Sequence, residues 1–231
     1  MTSPLSRKAK VRFTQYKSQL SGGAAASSKM QSVSSVLIRD LSSEARTFRW
    51  LVRGFVAAKL REDGLSPPVS LLMQDQQVTV DDQELVSKQD LQEAFYRCVN
   101  KFISDNDGTL QTLVDGLPPT SWTIGECIVE VNRNVLLVGD VSWGRMVAIA
   151  AFLTKVSIRC VKNELSEAII ALIDQAALQV NEKLAAYIRE NGGWAVLALA
   201  FKCPKKQGSW AKKALKAVSV IFAVYEQLYF K

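Results

Sequence analysis

Histidine is absent from this 231-residue chain. Its absence removes the commonest general base, the usual zinc ligand and the side chain that titrates near neutral pH. Cysteine is sparse. Cys98, Cys127, Cys160 and Cys203 stand far apart, without the paired spacing of a metal site or redox motif. No secretory signal is evident, so they read as reduced, packed thiols of a protein facing the cytosol. There is no phosphate-cradling glycine loop and no nucleophile–base pair recognisable by spacing. Enzymatic chemistry is therefore not expected, and neither is a cofactor or a metal.

Acid is missing from one end. Residues 1–39 hold seven Lys or Arg and no Asp or Glu, residues 40–201 are net −6, and residues 202–231 are net +6. The overall +7 thus comes from the ends, and the folded part is acidic. That argues against a basic nucleic-acid-binding face. Basic ends suit an anionic membrane surface or simply solubilise. A long apolar run is lacking too. Ala217 to Tyr225 spans nine residues, about 14 Å of helix against a hydrocarbon core of roughly 30 Å. With Lys205, Lys206, Lys212, Lys213 and Lys216 before it, this is a marginal membrane tail, a helix lying on the membrane, or a helix folded against the domain.

What is present is helical periodicity. Residues 1–41, with the stretch Gly22 to Ser28, are expected to form a disordered basic tail that is also weakly similar to a mitochondrial targeting segment. From Ser42, the residues Phe48, Leu51, Val52, Phe55, Val56 and Leu60 make one apolar stripe, closed by Glu62-Asp63-Gly64 and Ser66-Pro67-Pro68. Residues 62–87 read as an acidic loop. Leu91, Phe95, Cys98, Val99, Phe102 and Ile103 form a second stripe, ended by Asp105-Asn106-Asp107-Gly108, with a short helical piece over Leu110 to Val114. A further helix is expected from Thr123 to Val138. Met146 to Leu153 is apolar on every side, which marks a helix buried all round. Leu165, Ile169, Leu172, Ile173, Ala176 and Val180 define another amphipathic helix. A helix ends at Asn191-Gly192-Gly193, and one more starts at Trp194. The fold class is all-α: a bundle over residues 42–201 with a buried hydrophobic central helix, followed by a basic linker and apolar helix over 202–231.

Two stretches carry a resemblance. Val138-Gly139-Asp140-Val141-Ser142-Trp143-Gly144-Arg145 resembles the first homology motif of the Bcl-2 family, and Ile188-Arg189-Glu190-Asn191-Gly192-Gly193-Trp194 resembles the second. Leu51 to Leu60 is similar to the fourth motif, with Gly54 where an acid is usual. Leu91, Phe95, Cys98 and Phe102 match the hydrophobic anchors of the third (BH3) motif, whose Gly-Asp pair appears as Val99-Asn100.

The resemblance implies an apolar groove that grips a partner's amphipathic BH3 helix. It puts Arg145 at the groove wall, where a planar guanidinium meets the partner's Asp. Ser142, in place of the usual Asn, and Gly144 flank it. Trp143 and Trp194 are expected to anchor helix starts by packing. Val131, Leu136, Val147, Ile149 and Phe152, together with Phe102, either floor the groove or fill the core. The chain's own BH3-like helix (Leu91, Phe95, Cys98, Asn100, Phe102) has a bulky Val99 and a neutral Asn100, so it reads as a wall and not as a ligand. The implied function is a pro-survival regulator of apoptosis. It would bind BH3-bearing pro-apoptotic proteins in the cytoplasm and at the outer mitochondrial membrane, with homo- or heterodimers possible in principle. The alternative is an effector of the Bax, Bak and Bok kind that oligomerises and permeabilises that membrane.

Overall fold

The computed structural model describes residues 41–73, 87–117 and 142–200, with the side chains of 181–183 and 200 left aside. These residues fall within the compact unit that begins at Leu41. Every regular element among them is a helix. The expected helix over 123–138 and both tails lie outside the described residues.

Helix α1 runs Ser43–Glu62. Ser42 caps it, its hydroxyl accepting from the Ala45 amide at 3.3 Å. Its end is a glycine-terminated turn: the Gly64 amide donates to the Arg61 carbonyl and the Leu65 amide to the Leu60 carbonyl, at 3.0 and 2.8 Å. Gly64 sits at φ +72°, which costs glycine nothing. A single turn, α2 (Val69–Leu72), follows Pro67-Pro68 inside the stretch expected to be only loop.

Helix α3 spans Lys88–Asp115 and is capped by Ser87, whose hydroxyl accepts from the Asp90 amide at 3.1 Å and donates to the Asp90 carboxylate at 2.9 Å. The Asp105-to-Gly108 cluster does not end it, contrary to the sequence expectation; Asn106 (φ −135°, ψ 18°) kinks it, and the helix resumes. The reason lies in tertiary contacts from the next helix, described below.

Helix α4, Trp143–Lys162, is the central element: 15 of its 20 residues are buried. Its two buried hydroxyls need no outside partner, because Thr154 and Ser157 donate to the carbonyls of Ala150 and Leu153, both at 2.7 Å. Then come α5 (Ala168–Lys183), α6 (Ala185–Glu190) and α7 (Gly193–Ala200). Helix α4 packs against α1, α3 and α5, while α7 packs on α3 and α6. Phe48, Phe55, Phe95, Phe102 and Phe152 are wholly buried where these helices meet. Each such side chain contributes about 1.5–3 kcal/mol.

Alongside this apolar core runs a charged seam. Arg49 on α1 pairs with Asp174 on α5 at 2.5 Å, both side chains buried. Arg189 on α6 reaches Glu44 at 3.3 Å. Arg53, also buried, donates to the carbonyls of Ser70 (2.8 Å) and Met73, holding the single turn α2 against α1.

Candidate functional site

Arg145 stands in the first turn of α4, next to the apolar run that makes this helix central. It is 9% exposed and has an interaction within the chain. Its amide donates to the Ser142 carbonyl at 3.1 Å, which starts the helix. Ser142 is the half-buried N-cap in extended backbone (φ −153°, ψ 155°), and its side chain makes no capping hydrogen bond. Gly144 and Val147 are buried.

Trp143 turns to an aromatic cluster. Its ring stands edge-on to Tyr187 with centroids 6.0 Å apart and tilted against Trp194 at 5.6 Å. Trp194 is buried, and its indole Nε1 has no hydrogen-bond partner among the described residues. Burial pushes the Tyr187 hydroxyl above its ordinary pKa. The two motifs, some 50 residues apart in sequence, thus meet at their tryptophans. Gly192 and Gly193 make the turn before Trp194 at φ +85° and +68°, and a Cβ on Gly192 would lie 2.6 Å from Val196 Cγ2. Only glycine fits there.

Helix α3 turns its BH3-like anchors inward: Leu91, Phe95, Cys98 and Phe102 are all buried, as is Val99, while Asn100 is half-buried. The side of α3 away from these anchors carries Lys88, Gln89, Glu93, Arg97 and Lys101, all exposed. Burial pushes the Cys98 thiol up to about 12 and the Cys160 thiol to about 11, which keeps both protonated and unreactive. Val131 and Leu136 fall outside the described residues; Ile149 and Phe152 lie in the core.

Several contributors escaped the sequence reading. Tyr96 lies over Gly54, where a Cβ on the glycine would come 2.5 Å from the phenol oxygen. The same ring meets Phe55 edge-on at 5.1 Å. Gly54 therefore allows a close α1–α3 contact, and a glycine inside an otherwise strong helix pattern was the available signal. Arg49, Arg53 and Asp174 had none, since the partners stand 125 residues apart in the Arg49–Asp174 pair. Burial, reinforced by Arg49, lowers the Arg53 pKa to about 10.

Comparison with known proteins agrees with this picture. A sequence model of the family described as "Apoptosis regulator proteins, Bcl-2 family" matches residues 85–194, from just before α3 to the start of α7. None of the curated protein sequences is significantly similar. Among solved structures of matching fold is the crystal structure of chicken BOK, at 14% identity and a TM-score of 0.55, covering 68% of this chain and 96% of that one. At that identity the likeness is one of fold. Among the described residues no helix is long and apolar enough to cross a membrane.

Proposed function

Because this chain is a Bcl-2-like protein, we propose that it regulates apoptosis by binding the BH3 helices of pro-apoptotic proteins, and that its effect is pro-survival. The observation that carries the reading is the inward orientation of the chain's own BH3-like anchors. Leu91, Phe95, Cys98 and Phe102 are spent on the bundle's core, Val99 occupies the small-residue position, and Asn100 offers no charge to a partner's guanidinium. Presenting this helix to another protein would strip those side chains from the core, at about 1.5–3 kcal/mol each. The helix is better suited to be a wall of a receptor. Arg145, held in the first turn of the central helix, supplies the cation that selects an acidic position on the ligand helix.

Binding, not catalysis, is the activity. The basic flank and apolar run of residues 205–225 favour a working location at the cytosolic face of the outer mitochondrial membrane. Calorimetric titration of the full chain with a panel of BH3 peptides tests the proposal. At least one peptide binds the wild type, and Arg145→Ala weakens it by about 2–5 kcal/mol. Failure of every peptide contradicts the groove reading. Dye release from liposomes by the purified protein alone contradicts the pro-survival sign.

A further inference from the structure

The stretch 107–117 is a separate arm of α3. It starts at Asn106, where the backbone leaves helical geometry and the side-chain Nδ2 donates to the Phe102 carbonyl at 2.7 Å. Beyond the kink lies Gly108, with open space where a Cβ would sit. Leu110, Leu113, Val114 and Leu117 bury the arm's apolar side.

The polar attachment of this arm comes from another helix. Its last turn carries Asp115 and no basic residue, the wrong sign for a helix C-terminus. The missing cation is Arg159 of α4, whose Nη2 donates to the Leu117 carbonyl at 2.9 Å and whose Nη1 donates to the Val114 carbonyl. Arg159 thus caps in trans the carbonyls that a helix end leaves open. One turn earlier on the same face of α4, Lys155 pairs with Asp107 at 2.5 Å. Two cations on one helix therefore grip the arm at its beginning and its end.

We propose that Lys155 and Arg159 form a two-point electrostatic latch that holds the arm 107–117 on α4, and that loss of either cation lets the arm loosen about Asn106 while the rest of α3 stays in place. The kink spares the arm the cost of breaking a continuous helix, so its hold on the bundle rests on its buried apolar side and on the two cations. The grip is also sensitive to conditions. The Asp107 side chain is 59% exposed, so salt screens its pairing with Lys155.

Native-state hydrogen exchange of the full chain, without any peptide, tests the latch. Arg159→Gln lowers protection of the arm amides about tenfold or more, since hydrogen bonds from a charged donor are lost. The milder Lys155→Gln does so less, and added salt reproduces its effect on the wild type. Amides in the middle of α4 keep their protection. Exchange that rises equally across the bundle, or not at all in the arm, overturns the latch.

Discussion

At the scale of single residues, Glu164 is the conspicuous backbone anomaly. Among the described residues it is the non-glycine residue at positive φ (60°), and it occupies the left-handed position after α4. The turn has the same hydrogen bonds as the one at Gly64: the Glu164 amide donates to the Val161 carbonyl at 3.2 Å and the Leu165 amide to the Cys160 carbonyl at 2.8 Å. A β-carbon in this conformation costs roughly 1–2 kcal/mol. Glu164→Gly should stabilise the protein by about 1 kcal/mol, raising the melting temperature by about 2–4 °C in a domain of this size. Calorimetry checks it, and a lower melting temperature would contradict the strain. The buried thiols give a second residue-scale expectation. Cys98 and Cys160 have folded pKa values raised from 9.0 to about 12 and about 11. Below pH 9 both are protonated in the folded and unfolded chains alike, and their stabilising contribution is complete. As pH rises above 9, only the unfolded chain ionises, and each thiol removes up to about 1.4 kcal/mol per pH unit. The half-buried Tyr96 and Tyr187 hydroxyls, pushed up by partial desolvation, add to the loss at higher pH. Urea midpoints measured above pH 9 should fall, and Cys98→Ala should flatten that fall by one proton's worth. An unchanged slope would contradict the burial assigned to this thiol.

At the scale of elements, helix pairs are fixed by contacts of different legibility. The α1–α3 approach depends on Gly54 and Tyr96, whose hydroxyl accepts from Gln92 at 2.8 Å. Gly54→Ala gains helix propensity of about 1 kcal/mol but drives its Cβ into the Tyr96 phenol. The gain should therefore appear only in a Tyr96→Phe background, with a coupling of about 1 kcal/mol in a double-mutant cycle. Additivity would mean that the two helices do not approach as closely as described. The stripes of α1, α3 and α5 were visible in the sequence because amphipathic spacing records one buried face. The all-round apolar run of α4 was visible for the complementary reason, since nothing polar is left to face water. The continuation of α3 past Asn106 was not. Asp-Asn-Asp-Gly is a stop signal locally, and the cations that carry the helix onward, Lys155 and Arg159, come from α4. The turn α2 was hidden likewise: its hold on α1 is one guanidinium, Arg53, reaching across from another element.

At the scale of the whole molecule, the sequence divides into an acidic middle between basic ends, and the described helices belong to that middle. Inside it the charges are not all at the surface. Glu44, Arg49, Arg53 and Asp174 are buried along the α1–α5 seam, and Arg145 is buried at the start of α4. Buried pairs such as Arg49–Asp174 are costly to break singly, about 3–5 kcal/mol, and so define which helices belong together more than they add net stability. The two homology motifs were legible as local strings, and their meeting through Trp143 and Trp194 follows from the helix order. The seam was not, because a buried arginine looks like a surface arginine until its partner is known. The same holds for Arg145: its residue type and motif pointed to a carboxylate partner, whereas its burial emerges only from the fold.

The most direct test of the account is a charge-reversal cycle on Arg145. A BH3 peptide that binds the wild-type chain is paired with Arg145→Glu, and the Asp on the peptide's own helix is changed to Lys; the four combinations are measured by calorimetry. Each single reversal should weaken binding by about 2–5 kcal/mol, and the double reversal should recover about 1.5 kcal/mol or more of the summed loss. Losses that simply add would contradict a direct pairing of Arg145 with the ligand helix.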